Sequence, residues 1–426
     1  MGSLVRYQNI TKNHPCGFKR QGSFLNAIGT LKKKLLFLNS IFPILSETFI
    51  FDQYQRLKSE GLEFEIISSH KPSDNEVHPH MKAMQNEVSY LCEARWGELL
   101  LSHWLFLISS PVVYFKALLR AFLLEEKLKT SIAHLTGALL LKRRYPELTW
   151  VHSHFTYGAT AIAFWLKYIS DTPYSITLHG ADLTFDKVPD LALKMQNADK
   201  IVSISQFNLD YLNKYFPAVD LNCCQVIPLG VPAKLSVSPQ TNQLQQPLEI
   251  LSVGRLSIHK AQHLLIEACS LLQKNNIKFN CTIIGEGPER QALTQLIEQY
   301  SLAEHVQLVG AKFHHEVLAS YANADVFVLS SITEGMPLVL MEAMQNGVLV
   351  IAPDIAGIPE LLDAGKAGIL VPVNDVQALS DAIEKAALDP SSTLTMQQHA
   401  IFHIQQHFDL DKNTRMFAAI FRSLFS

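Results

Sequence analysis

Two carboxylates, Glu334 and Glu342, stand eight positions apart around a turn that contains Gly335 and Pro337. The apolar run 324–329 before them predicts a buried strand, so the first carboxylate falls in a strand-to-helix turn and the second lies more than one turn into the helix. Proline suits the first helical position. Free amides at a helix start attract phosphate, and carboxylates accept hydrogen bonds from hydroxyls. The pattern predicts a sugar-nucleotide site; the alternative is a helix with one capping acid and one exposed acid.

A pair of cations follows the first strand of the second half of the chain. Arg255 and Lys260 flank the segment Leu-Ser-Ile-His, directly after Gly254. Arginine can bind a phosphate through two parallel hydrogen bonds, and lysine acts as a mobile point charge. This loop therefore predicts a diphosphate site, and the alternative is a surface loop with two solvated cations. Gly285 and Gly287, after the next strand, predict a tight turn and little more by themselves.

In the first half, His179 and His154 each stand at the end of an apolar run that predicts a strand. There His179 would face a cleft and could bind a donor sugar or a phosphate; a structural role is the alternative. His152 and His154 also permit a metal interpretation, which we do not favour because no third ligand lies at a suitable spacing. Ser46 and Thr48 can cap the first helix and leave amides free for an anion or an acceptor, or serve as caps alone.

Short apolar runs alternate with longer helical patterns over most of the chain, which predicts an α/β protein with parallel sheets. A stretch rich in Pro, Gln and Ser separates two such series and predicts a linker. Two doubly wound, Rossmann-like domains would then face a cleft, with ligands at the carboxyl ends of their strands. The predicted divisions are a flexible basic tail at 1–34, a first Rossmann-like domain at 35–235, the linker at 236–247, a second Rossmann-like domain at 248–393, and a C-terminal helix at 394–426 that packs back across the linker onto the first domain.

The bulk composition excludes several classes of protein. The 426 residues are 48% hydrophobic and 18% charged, which is typical of a folded chain of two or three domains. The net charge of −3 gives no case for nucleic-acid binding. The six cysteines show neither a metal-binding spacing nor a disulfide pattern, which indicates a reducing, cytoplasmic compartment. Residues 1–34 are basic, but the apolar run after them is too short for a signal peptide and lacks a cleavage site.

The apolar segment 99–115 is nearly long enough to span a bilayer, but His103, several serines and Pro111 interrupt it. Basic residues follow among leucines up to residue 129. The region 99–129 is therefore typical of an amphipathic surface lying on an anionic membrane. A pair of ordinary core-packed helices is an alternative of equal weight.

As a set, these motifs resemble the retaining GT-B glycosyltransferases of glycosyltransferase family four, from about residue 35 to the C-terminus. The matching motifs are the Glu334/Glu342 pair within Glu-Gly-Met-Pro-Leu, the Val-Gly-Arg-Leu loop with Lys260, His179-Gly180, Ile227-Pro228-Leu229-Gly230-Val231 and Ala198-Asp199-Lys200-Ile201-Val202. The stretch Phe-Pro-x-x-Ser-Glu-Thr-Phe-Ile, which begins at Phe42, looks like a branch that acts in exopolysaccharide and colanic-acid-type assembly.

The resemblance implies a role for each matched position. Arg255 and Lys260 would hold the donor diphosphate and stabilise the departing nucleoside diphosphate. Glu334 would contact the hydroxyls of the donor sugar, Glu342 would hold the ribose, and His179 would line the reaction centre. The resemblance also implies that the domain at 35–235 binds the acceptor and the domain at 248–393 binds the nucleotide sugar. The remaining donor-side positions are Gly254, Gly335, Met336, Pro337 and Leu338, and the acceptor-side candidates are Ser46, Glu47 and His154.

The same resemblance implies transfer of a hexose from a UDP-, GDP- or ADP-sugar with retained anomeric configuration, without a metal or another cofactor. The acceptor would be a lipid-linked saccharide, and the protein would be cytoplasmic or peripheral on the inner face of the cytoplasmic membrane. Two features depart from the family: Ala261 stands where glycine is common, and the Gly-rich loop after the first strand is missing from the sequence. The alternatives are a GT-B-fold epimerase or phosphorylase, or a non-catalytic subunit of a polysaccharide-assembly complex.

Overall fold

The structure is a computed structural model in which residues 34–44, 47–73, 77, 81–184, 187–233 and 247–425 are described. Residues 1–33 of the predicted tail, residues 236–246 of the predicted linker and the acceptor-side candidate Ser46 lie outside these ranges. The domain boundaries drawn from the sequence therefore stay predictions.

The described chain alternates strands with helices almost throughout, as the sequence pattern predicts. The strands are β1 (Lys34–Ile41), β2 (Glu65–His70), β3 (Val88–Tyr90), β4 (Leu148–His154), β5 (Tyr174–Leu178), β6 (Lys200–Ser203), β7 (Cys224–Val226), β8 (Leu248–Val253), β9 (Phe279–Ile284), β10 (Val306–Gly310), β11 (Val326–Val328), β12 (Leu349–Pro353) and β13 (Ile369–Val371). The helices are α1 (Thr48–Ser59), α2 (Lys82–Gln85), α3 (Trp96–Ser109), α4 (Pro111–Leu123), α5 (Leu128–Arg144), α6 (Gly158–Ser170), α7 (Ala181–Thr184), α8 (Leu191–Gln196), α9 (Gln206–Tyr215), α10 (Gln262–Lys274), α11 (Arg290–Gln299), α12 (His314–Tyr321), α13 (Leu338–Gln345), α14 (Ile358–Leu361), α15 (Val376–Leu388), α16 (Pro390–His407) and α17 (Leu410–Phe425). Short 3-10 turns lie at Leu91–Glu93, Leu221–Cys223 and Asp363–Gly365.

The strands form two parallel sheets. The first has the order β3-β2-β1-β4-β5-β6-β7 and the second has the order β10-β9-β8-β11-β12-β13. The strand order reverses between β1 and β4 in the first sheet and between β8 and β11 in the second, and crevices for ligands form at such switch points. The prediction of an α/β protein with two doubly wound domains is confirmed.

Burial explains why most strands could be located from the sequence. Strands covered on both faces become continuous apolar runs, and β5 and β12 are buried along their whole length. The sequence analysis missed β3, which has three residues and pairs with β2 at the edge of its sheet. So short an edge strand leaves no periodic signal.

The C-terminal region forms two helices with different partners, rather than one. Helix α16 packs against α13 and α15 of the second domain, whereas α17 packs against α1 of the first. Backbone hydrogen bonds fix the segment at which the chain passes from α16 to α17. The Val231 amide donates to the Phe408 carbonyl at 2.9 Å, and the Leu410 amide donates to the Val231 carbonyl at 3.1 Å. The predicted return of a C-terminal helix to the first domain is confirmed for α17.

The region 99–129 forms α3 and α4, which pack against α5. His103 ties the three helices together: Nδ1 lies 3.0 Å from the Tyr114 hydroxyl and Nε2 lies 2.9 Å from the Thr136 hydroxyl. Their inner faces pack on the core, with Ala117 and Ala121 of α4 buried, whereas large apolar side chains such as Phe122 are exposed on their outer faces. Within the described ranges, no helix has both the length and the apolar character to cross a bilayer.

Phe421 of α17 provides a test of the crossing helix. Its ring is fully buried and lies 5.4 Å from the rings of Phe37 and His152, measured between centroids. We expect Phe421→Ala to lower the free energy of unfolding by about 3–5 kcal/mol, because it opens a cavity in the first domain's core. Urea denaturation followed by circular dichroism measures this. The control Phe402→Ala, which removes an exposed ring of α16, should change stability by less than about 0.5 kcal/mol, and equal effects of the two changes would contradict the packing described.

Candidate functional site

A cleft of about 660 Å³ lies at the carboxyl edges of the two sheets. Both domains and α17 contribute to its walls. Among the described residues that line it are the predicted site residues His179, Lys260, Glu334, Gly335, Met336, Pro337, Leu338 and Glu342, together with Phe49, Asp52, Lys312, His314, Asn413 and Phe417. The structure thus brings most of the predicted donor-side residues together.

The shortest charged contact in the cleft joins Lys260 and Glu334. Lys260 Nζ lies 2.6 Å from Oε1 of Glu334, whose side chain is only 9% exposed. The two residues follow β8 and β11, which are neighbours in the sheet. Because charge-assisted hydrogen bonds to phosphate are strong, a donor phosphate can compete for the lysine and leave the carboxylate for sugar hydroxyls. The pair can therefore bind both parts of a sugar phosphate.

Arg255 is placed differently from Lys260. Its side chain is exposed and is not among the described residues that line the cleft. Its loop is held by the amide of Gly254, which donates to the Ile284 carbonyl at 3.0 Å. A β-carbon at Gly285 would stand 1.9 Å from the Gly254 carbonyl oxygen, so this close approach requires glycine. Phosphate binding by Arg255 and Gly254 stays a prediction.

Ala261 shows why glycine is common at its position. It precedes α10 with φ +47° and ψ 43°, in the left-handed region, and its side chain is buried. For a residue with a β-carbon this conformation costs about 1–2 kcal/mol of conformational energy. The loop nevertheless carries Lys260 into the cleft, so the methyl group does not displace the charge.

The two domains meet where the turn at His179 and Gly180 contacts the turn at Glu334 and Gly335. A β-carbon on Gly335 would lie 2.0 Å from the carbonyl oxygen of His179, and one on Gly180 would lie 2.9 Å from the Cα of Gly335. Side chains at either position would force the turns apart. The glycines therefore place His179 beside the Glu334 turn.

Helix α13 begins at Leu338, and Pro337 precedes it in an extended conformation. The prediction of Pro337 at the first helical position is wrong by one residue. The predicted anion site at this helix start does not depend on the shift by one residue, because the first amides of any helix have no partner within that helix. Gly335, Met336 and Leu338 line the cleft at this helix start, where a phosphate or sugar oxygen could accept from these amides.

Glu342 is held by two residues that the sequence analysis did not identify. Its Oε1 lies 2.9 Å from Nε2 of His314, and its Oε2 accepts from the Tyr321 hydroxyl at 2.9 Å. The hydrogen bond to Glu342 raises the pKa of His314, and the charge of Asp52 from the first domain adds to this increase. The carboxylate is therefore fixed in orientation and can accept from a pair of adjacent hydroxyls.

His179 lies in an aromatic layer of the first domain. Its Nε2 is 3.1 Å from Nδ1 of His154, and its ring centroid lies 4.3 Å from that of Phe155 and 5.0 Å from that of Phe49. Burial lowers the pKa of His179 well below its usual value. Its ring is therefore neutral at physiological pH and can donate or accept a hydrogen bond but adds no charge.

Asp182 holds the strand ends on which these histidines stand. Its Oδ1 accepts from the His179 amide and its Oδ2 from the Thr156 amide, each at 3.0 Å. Burial raises the pKa of this carboxyl group to about 7. The sequence analysis missed this role, although an acid four residues after the end of β5 is a recognisable capping signal.

Two of the acceptor-side candidates, Glu47 and His154, fall within the described ranges. His154 is buried beneath His179. Glu47 precedes α1, and burial raises the pKa of its carboxyl group to about 7. Neither residue is among the described lining residues, so their acceptor roles stay predictions. His152 forms hydrogen bonds to hydroxyl groups through both ring nitrogens, Nδ1 with Ser175 at 2.8 Å and Nε2 with Thr177 at 3.1 Å, which agrees with a structural role.

Several lining residues escaped the sequence analysis. His314 and Lys312 follow the carboxyl end of β10, so the rule that ligands bind at strand ends could have identified them. Phe49 and Asp52 lie on α1, and Asn413 lies on α17. A helix that crosses between domains gives no local signal of what it will line.

Comparison with known proteins agrees with this arrangement. Residues 236–401 match the family described as Glycosyl transferases group 1. The chain is 29% identical to the putative colanic acid biosynthesis glycosyltransferase WcaL of Salmonella typhimurium, over 92% of this chain and 100% of the relative. It is 28% identical to the amylovoran biosynthesis glycosyltransferase AmsK of Erwinia amylovora, over the same two shares. The resemblance drawn from the motifs is confirmed.

Solved structures share the fold. Sucrose-phosphate synthase from Thermosynechococcus elongatus superposes with a TM-score of 0.70 at 18% identity, covering 92% of this chain and 99% of that one. HepE of Anabaena, solved in complex with UDP, superposes with a TM-score of 0.66 at 19% identity, covering 92% and 100%. The GT-B architecture predicted from the sequence is confirmed.

The raised pKa of Glu47 gives a test by pH. A carboxyl group with a pKa near 7 in the folded state and near 4.3 when unfolded favours folding below pH 4, and this contribution is lost as the pH rises towards 7. We expect the free energy of unfolding of the wild type, relative to that of Glu47→Gln, to fall by about 2–3 kcal/mol between pH 5 and pH 7.5. Urea denaturation at both pH values measures it. The control Glu304→Gln, which changes an exposed residue, should show the same change in the free energy of unfolding with pH as the wild type. An equal change in Glu47→Gln and the wild type would show that Glu47 ionises normally.

Proposed function

We propose that this chain, a glycosyltransferase with a group 1 domain, transfers a hexose or related sugar from a nucleotide sugar to a growing saccharide in exopolysaccharide assembly. The Lys260–Glu334 ion pair in the cleft carries this proposal, because it offers a cation for phosphate beside a carboxylate for sugar hydroxyls. The biosynthetic roles in the names of WcaL and AmsK support a polysaccharide product. HepE, solved with UDP and with UDP-glucose, supports a nucleotide-sugar donor.

The donor would lie along the start of α13. Its diphosphate would take Lys260 as a counter-ion, with Arg255 moving in from the exposed loop, and the α13 amides would donate to its oxygens. Glu334, released from the lysine, would accept from sugar hydroxyls. Glu342 would accept from the ribose hydroxyls in the orientation that His314 and Tyr321 impose.

The transfer would retain the anomeric configuration. The bond between the anomeric carbon and the phosphate oxygen breaks while a bond to the acceptor oxygen forms on the same face, and the acceptor's proton passes to the departing phosphate. Glu334 already forms an ion pair, which suits binding better than nucleophilic attack. Lys260 and the helix amides would stabilise the charge on the leaving phosphate, so we expect no requirement for a metal ion.

The acceptor would be a lipid-linked saccharide at the inner face of the cytoplasmic membrane. Large apolar side chains recur at helical spacing on the outer faces of α3 and α4 and are exposed: Trp96, Leu100, Trp104 and Ile108 on the first helix, and Val112, Phe115, Leu119, Phe122 and Leu123 on the second. A soluble monomer seldom exposes so large a continuous apolar surface. The exposed lysines 116, 127 and 129 lie in the same region and would meet anionic lipid headgroups. We call this surface the α3–α4 face.

The transfer reaction provides the first test. We expect Glu334→Gln and Lys260→Ala each to lower sugar transfer at least about 100-fold, since each removes a group that contacts the donor in the reacting complex. Transfer of labelled sugar from UDP-, GDP- and ADP-sugars to lipid extracted from the producing cells, with EDTA present, measures this. The control Glu384→Gln changes a carboxylate of α15 that bonds Asn275 and should leave transfer unchanged.

The outcomes separate the competing functions. Near-normal transfer by either variant, with an unchanged melting temperature, would refute the assigned roles. Release of an altered sugar without an acceptor would indicate an epimerase, and dependence on inorganic phosphate would indicate a phosphorylase. Binding of a nucleotide sugar without turnover under any condition would favour a non-catalytic subunit.

Vesicle binding provides the second test. We expect the double variant Phe115→Glu, Leu119→Glu to lose at least about ten-fold in partitioning onto phosphatidylglycerol vesicles, because both side chains would leave the acyl boundary and add negative charge. Co-sedimentation measures this. The control Leu388→Glu charges an exposed leucine of the second domain and should partition like the wild type. Light scattering without vesicles completes the test: self-association that the double variant abolishes would mean that a second copy covers the α3–α4 face.

A further inference from the structure

A cluster of three potential metal ligands lies in the second domain, away from the cleft lining. Asp363 stands in the 3-10 turn after α14, and His399 and His403 stand one turn apart on α16. One ligand atom from each lies within 4.8 Å of those of the other two. We propose that these residues bind a divalent transition-metal ion of the zinc class.

The environment of His403 favours this assignment. Its Nε2 is buried and has no hydrogen-bond partner in the structure. A buried polar atom without a partner is uncommon in folded proteins. A metal ion bound to this nitrogen would satisfy it, since neutral imidazole is a common metal ligand.

The other two ligands are already in contact. His399 Nε2 lies 2.8 Å from Oδ2 of Asp363, and both side chains are about one-third exposed. A metal ion would replace the proton that this pair now shares. Zinc binds imidazole nitrogen and carboxylate oxygen at about 2.0–2.2 Å in a tetrahedron, which needs ligand atoms roughly 3.5 Å apart. Small side-chain rotations would bring the third ligand to that distance, and water would complete the coordination.

Nitrogen ligands determine the class of metal. Two imidazoles and one carboxylate suit zinc, cobalt, nickel or copper, whereas magnesium and calcium prefer oxygen ligands throughout. The partial exposure of His399 and Asp363 provides a path for the ion.

The position of the cluster suggests what the ion would do. The turn with Asp363 directly follows α14, whose Glu360 accepts from the amide of Gln206 at 2.7 Å, in the first domain. A metal ion between this turn and α16 would brace the element that contacts the first domain. We therefore expect bound metal to stabilise the folded chain without entering the transfer reaction, so the site is independent of the function proposed above.

Metal binding can be measured directly on the full chain, produced without a histidine tag and freed of metal by chelator dialysis. We expect isothermal titration with zinc chloride to show one ion bound at least ten-fold more tightly than any other. His399→Ala, His403→Ala and Asp363→Asn should each lose it. Asparagine suits Asp363 because it tolerates the positive φ of 47° found there. Magnesium chloride should give no such binding.

His407→Ala is the matched control, since this exposed histidine lies one turn beyond His403 on the same helix. It should retain the tight ion. Cobalt chloride gives a second readout, with visible absorption bands expected for the wild type and His407→Ala but not for Asp363→Asn. Zinc should raise the melting temperatures of the wild type and of His407→Ala, but not that of Asp363→Asn. Absence of a tight ion in the wild type, or its equal retention by His403→Ala and Asp363→Asn, would overturn the proposal.

Discussion

The close approach of two backbone turns across the cleft is the constraint on which the rest of the site depends. Gly335 leaves no room for a β-carbon beside the His179 carbonyl, and Gly180 packs against the Cα of Gly335. Each turn follows a strand at the carboxyl edge of its own sheet. Contact between the turns therefore sets the separation of the sheets at this point and places His179 beside Glu334. A larger residue at either glycine would move an entire domain edge and not just one side chain.

A second contact keeps the domains in this relation. The carboxylate of Glu360 accepts from the first amides of α9, at Gln206 and Phe207, where the helix dipole favours a negative charge. Burial raises the pKa of Glu360, although these hydrogen bonds oppose the increase. In the cleft, Lys260 is paired with Glu334 and His314 with Glu342. A donor with phosphates and hydroxyls could replace these partners without leaving a buried charge unpaired.

Much of this could be predicted from the sequence because parallel sheets leave strong local signals. Buried strands are continuous apolar runs, and ligand-binding residues follow their carboxyl ends, so Lys260, Glu334 and His179 could be assigned to one cleft. Residues that act on the site from helices could not, since a helix carries no local signal of the group that it will contact. Tyr321 reaches Glu342 from α12, and the crossing of α17 depends on hydrogen bonds between Val231 and Phe408. No local pattern specifies such pairings.

The sequence also could not show which apolar side chains of α3 and α4 would be exposed to form the α3–α4 face. An amphipathic period tells which residues share a side of a helix, but it does not tell which side the core covers. In α4 the buried positions are Ala117 and Ala121, whose small side chains let the helix pack closely on its neighbours. The large residues, Phe115 and Phe122 among them, are on the opposite side. In α4 the large apolar side chains therefore face outward, whereas an ordinary surface helix turns them toward the core. Contact with water alone does not explain this arrangement.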